Sequence, residues 1–132
     1  MDDGWIEFQE GPQETFNRFY VSINTLGELI FNRHVDAELE HPEALVLFFN
    51  PDTDKIALKP AGRLTPNAFP IKLKGDYGNR RIRVKPFMNK YEMNFDSTVR
   101  FLAPEITDGV LILDLRNLNK TKRIPLAARR GR

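Results

Sequence analysis

The stretch "FYVSINTLGELIFN", residues 19–32, decides the fold. Phe19, Val21 and Ile23 alternate with Tyr20, Ser22 and Asn24, and after the turn "TLG" the apolar positions resume at Leu29 and Phe31. Period-two alternation on both sides of a glycine turn predicts a β-hairpin with one apolar face. Next, "RHVDAELEHPEA" places Val35 and Leu39 at i, i+4, one face of a helix over about residues 33–40, and Pro42 predicts its end. The run "ALVLFFN", the turn "PDTD" and the run "KIALKP" then give a second hairpin, so residues 19–60 read ββαββ.

Outward from this unit the same order recurs. Residues 61–68 are rich in turn formers and read as a linker. "FPIKLKGDYGNRRIRVK" predicts another hairpin, with Gly75, Asp76, Gly78 and Asn79 at the turn. Pro86 suits a first helical turn, and Phe87 and Tyr91 share a face of a helix over about residues 86–94. "STVRFLAPEI", the turn "TDG" and "VLILDL" close a second ββαββ unit at about residue 115, with the run Val110 to Leu113 expected to be buried on both faces. Two units of one order imply that neither buries its apolar surface alone. The expected fold is mainly β, a single domain over residues 1–132 in which an internal duplication, units 19–60 and 69–115, forms one pseudo-symmetric barrel. Chance likeness between two meandering β segments is the alternative. "WIEF", residues 5–8, suits an edge strand, and the basic tail 116–132 reads as loosely ordered.

A chain of 132 residues with 41% hydrophobic and 29% charged residues is globular in composition and long enough for a sizeable core. No apolar run reaches the roughly 18 residues needed to cross a membrane, and "MDDGWIEFQE" lacks the regions of a signal peptide, so a cytoplasmic protein is expected. The absence of cysteine excludes disulfides, thiolate zinc sites and cysteine nucleophiles. The net charge of +2 conceals a split: residues 1–54 carry 2 cations and 12 anions, net −10, and residues 55–132 carry 18 cations and 6 anions, net +12. Such segregation bears on partners. It implies head-to-tail association into a homodimer, or neutralisation of one half by the other.

The densest positive charge is the second unit's hairpin. Lys72, Lys74, Arg81, Arg83 and Lys85 alternate with Ile71, Leu73, Ile82 and Val84, so the cations are expected on one face and the apolar residues in the core. A two-stranded ribbon fits the DNA major groove, with Arg donating to guanine and Lys contacting phosphate. Tyr77 at the tip is placed to stack on a base. A solvated edge is the plainer reading, since edge strands carry lysine to prevent pairing.

Gly27, Leu29, Ile30, Phe31, Leu39, Val46, Phe48, Ile56 and Leu58 occupy positions of a further pattern: strand, glycine turn, strand, short helix ending in Leu, apolar hairpin with an acidic turn. In these residues the first unit resembles the AbrB-like swapped-hairpin family of DNA-binding domains over about 40 residues, and the second unit is similar by element order. Duplicated cradle-loop barrels fit the same description. The resemblance implies an internal pseudo-dimer that contacts duplex DNA through a basic hairpin, here Lys72, Lys74, Tyr77, Arg80, Arg81, Arg83 and Lys85. The family has a basic residue after the turn glycine and a proline closing the second strand, where this chain has Glu28 and Asn32. A carboxylate there repels phosphate, which leaves the second hairpin as the expected reader.

Enzyme chemistry is not expected. His34 and His41 lie among Asp36, Glu38 and Glu40 without an established metal-ligand spacing, and "GDYGN" lacks the residues of a nucleotide loop. Asp52 and Asp54 suit a β-turn better than a calcium loop. The reading is a small DNA-binding transcriptional regulator needing no cofactor or metal. The alternative is a non-enzymatic protein-interaction or accessory module with opposed acidic and basic faces.

Overall fold

The computed structural model describes residues 3–9 and 19–120. The described part is mainly β, with two antiparallel sheets and two helices of one to two turns. In order it forms β1 (Val21–Ile23), β2 (Glu28–Phe31), α1 (Arg33–Glu38), β3 (Ala44–Asn50), β4 (Lys55–Ala61), β5 (Phe69–Pro70), β6 (Lys72–Lys74), β7 (Asn79–Arg83), α2 (Lys85–Lys90), β8 (Val99–Phe101), β9 (Glu105–Thr107), β10 (Val110–Asp114) and β11 (Leu118–Lys120). One sheet, A, has the order β11-β8-β1-β2-β7-β6, and the other, B, the order β5-β3-β4-β10-β9. No closed barrel forms among the described strands.

The first hairpin turns where the sequence puts a glycine. Asn24 Oδ1 accepts the backbone N–H groups of Leu26 and Glu28, and Gly27 sits at φ +81°, in the left-handed region. Asn32 then caps α1, its side chain accepting from Val35 N at 3.2 Å while its own N–H donates to Tyr20 O. Val21, Ile23, Leu29, Phe31, Ile82, Val99 and Phe101 from sheet A, with Val84 at the N-cap of α2, meet Leu45, Ile56, Leu58, Leu111 and Leu113 from sheet B in one buried core. Each such large side chain contributes about 1.5–3 kcal/mol on full burial. The second unit's helix packs on the first unit's strand: Phe87 of α2 and Tyr91 at its C-cap close on Phe49 of β3, with ring centroids 6.5 and 4.8 Å away.

Several expected elements are divided. The strand expected from Phe69 breaks at Ile71, so β5 pairs with β3 in sheet B and β6 with β7 in sheet A. The strand expected over "STVRFLAPEI" breaks likewise, Pro104 separating β8 in sheet A from β9 in sheet B. A proline has no N–H for a ladder, and changing sheets lets one segment serve both. Val110 and Ile112 are only half-buried, so β10 has one core face. Residues 5–9 are not in a strand. The tail is not wholly irregular, because β11 pairs with β8; residues 121–132 lie outside the described part. No helix among the described residues is long and apolar enough to cross a membrane.

Candidate nucleic-acid interface

Register decides which cations share a face. In sheet A, Ser22 pairs with Ile30 and with Arg100, Ile30 with Arg81, and Arg81 with Lys72, so these residues form one transverse row. Directly paired residues point to the same side, and so do those two positions along a strand. Because Val21, Ile23, Leu29, Phe31 and Ile82 hold the core side, this row lies on the outer face, with Lys74, Arg83 and Glu28. Among the described strand residues the outer face therefore collects five cations, Lys72, Lys74, Arg81, Arg83 and Arg100, against one carboxylate, Glu28.

That carboxylate is built in. Glu28 is buried, its Oε1 accepting from Lys74 Nζ at 2.9 Å and from Asn24 Nδ2 at 3.0 Å, with Arg81 Nη1 3.4 Å from Oε2. The hydrogen bond from Lys74, then that from Asn24, holds its pKa below the ordinary carboxylate value against the opposing effect of burial. Glu28 is thus the counter-ion of the basic hairpin, not an isolated repulsive charge. Lys72 and Arg83 are exposed and have no ion-pair partner among the described residues.

Two of the expected contact residues are placed differently. Arg80 follows the opposite parity from Arg81, and it turns to the core side of β7, where Nη2 lies 3.4 Å from Asp36 Oδ2 and Nη1 donates to Gly78 O. Asp36 is buried in α1 and also takes His41 Nδ1 at 2.6 Å, so His41 serves this ion pair. Lys85 opens α2 rather than continuing the ribbon, its stem covering the first hairpin's turn: a Cβ on Gly27 would lie 2.9 Å from Lys85 Cβ. Tyr77 does stand exposed at the tip of the β6–β7 hairpin. Leu73, expected in the core, is 69% exposed, because β6 is an edge strand that the second sheet does not cover.

Arg100 is the residue that sequence reasoning missed. It lies in β8, and only the β1–β8 register brings it beside Ser22, where its guanidinium stacks 4.9 Å from the Tyr20 ring centroid. "STVRF" has the alternation of a strand, but nothing local in it names β1 as the partner. Comparison with known proteins returns no match among family models, curated proteins or solved structures.

Proposed function

We propose that this chain is a small DNA-binding regulator of the AbrB-like swapped-hairpin type, which contacts duplex DNA with the outer face of sheet A. The observation that carries the reading is the five-to-one excess of cations on that face. Lys72 and Arg83 are the primary phosphate contacts; Arg81 lies beside them on β7, and Arg100 lies on β8, beyond β1 and β2. Lys74 and Arg81, held by Glu28, are oriented rather than free. A backbone-directed basic sheet face gives affinity first and sequence preference second.

The strand order supports a pseudo-symmetric architecture, the internal duplication in barrel-like form. In β1-β2-β7-β6 and in β3-β4-β10-β9, the corresponding strands of the two units stand at mirrored places about a central pair. The segments that change sheets at Ile71 and at Pro104 would supply the corners.

Fluorescence anisotropy with labelled duplex across salt tests the function. With about four net contacts, log K falls against log salt at a slope of about −4, roughly a 250-fold loss from 50 to 200 mM. Arg83→Ala flattens the slope by about one unit, whereas Arg80→Ala leaves it unchanged, since Arg80 lies on the other side of β7. Absence of binding at low salt by folded protein removes the DNA reading.

A further inference from the structure

We propose that residues 5–8, "WIEF", of one copy add as an antiparallel strand to the free edge of β6 of a second copy, and that reciprocal exchange of these arms makes a dimer. This goes beyond the DNA reading and does not depend on it. Trp5, Ile6 and Phe8 are 72%, 93% and 72% exposed, three large apolar side chains within four residues that the body of their own chain leaves uncovered. Clusters of this kind mark interaction sites. β6 is the complementary surface: among the described residues it ends sheet A and pairs only with β7, and a strand edge with unpaired backbone groups is a template for another strand.

Side-chain pattern and charge choose the occupant. Along β6, the register sets Lys72 and Lys74 toward the outer face and Leu73 toward the inner face, where Leu73, with Lys72, Ile71, Asp36, His41 and Arg80, lines a cleft of about 230 Å³. Along the arm, Trp5 and Glu7 share one face and Ile6 and Phe8 the other. In the antiparallel register that sets Ile6 against Leu73, Glu7 meets Lys72, Trp5 lies over Lys74, and Phe8 reaches Ile71 at the mouth of the cleft. One acid, one cation–π partner and two apolar contacts then meet a strand that offers two cations and two apolar side chains. From Gln9 to Phe19 the chain spans at most about 35 Å, enough to cross to a neighbour. Two arms exchanged about a twofold close the assembly, so it stops at a dimer instead of growing into a fibre.

Sedimentation velocity at low salt on the full chain, with emission of its single tryptophan, Trp5, tests the proposal. The expected result is a dimer with blue-shifted emission. Glu7→Lys and Lys72→Glu each weaken dimerisation at least about tenfold, the double variant recovers it to within about threefold, and Leu73→Glu abolishes it. These positions are exposed, so far-UV circular dichroism should be unchanged. A monomer with red-shifted emission overturns the docking, and a monomer with blue-shifted emission shows the arm folded on its own chain and overturns exchange. A dimer indifferent to Leu73→Glu, or a charge swap that fails to restore it, places the interface elsewhere.

Discussion

Glu28 carries a charge that reads one way alone and another way in its sheet. Its carboxylate is buried with Lys74, Asn24 and Arg81 around it, and its pKa is lowered chiefly by the hydrogen bond from Lys74. A folded-state pKa below the unfolded one contributes stability that is present above the unfolded value, near 4.3, and is lost as pH falls through the folded value. Glu28→Gln should therefore cost about 1–3 kcal/mol at pH 7, and the gap to the parent should close at strongly acid pH. Urea unfolding at both pH values checks this, an equal gap at both being the contrary result. Gly27→Ala should lower stability by about 1–3 kcal/mol, because the residue sits at φ +81° and the added Cβ would meet Lys85 Cβ at 2.9 Å; thermal melting measures it. Local pattern told that Gly27 is a turn residue. It did not tell that Glu28 faces Lys74, since the two lie 46 positions apart and meet only through the β2–β7–β6 register. Arg80 was a different miss. Strict alternation already sets it opposite Arg81, and the run "RRIR" hid that parity behind its shared charge.

At the scale of elements, most strands and both helices lie near where alternation, glycine turns and prolines place them, because those signals are local. What local signals lack is the destination of a strand. Phe69 to Lys74 and Val99 to Thr107 each look like one strand, yet each serves two sheets, and β11 is a polar strand formed because β8 offers an edge to Leu118–Lys120. Asn32 shows the same limit from the helix side. At a place where the resemblance expected proline, it donates its backbone N–H to Tyr20 O and caps α1 through Val35 N. Asn32→Ala should cost about 1 kcal/mol through the lost cap. Asn32→Pro should cost more, since it also removes the donor to Tyr20. Denaturant midpoints of the two variants test that order, and a proline variant as stable as the alanine one would mean that the Tyr20 bond contributes nothing.

For the whole molecule, the question is whether either ββαββ unit is a folding unit. The pairings argue against it: β2 takes β7, β1 takes β8 and β4 takes β10, so both sheets are sewn from strands of both units. The core is one cluster to which both contribute, with Phe31 and Leu58 on one side of the linker and Ile82, Phe101 and Leu111 on the other. A half-chain would expose its share of that core and two strand edges, leaving ordering entropy uncompensated. Residues 1–66 and 67–132 made separately should therefore lack cooperative urea unfolding by circular dichroism, and mixing them should restore a single transition at one-to-one stoichiometry. The fragments carry 5 cations against 12 anions and 15 against 6, net −7 and +9, so their association should be fast at low ionic strength and slow markedly as salt rises. A fragment that unfolds cooperatively alone would show that its hairpins close a core without the other unit, and the cross-unit pairings would then be docking contacts between independent domains.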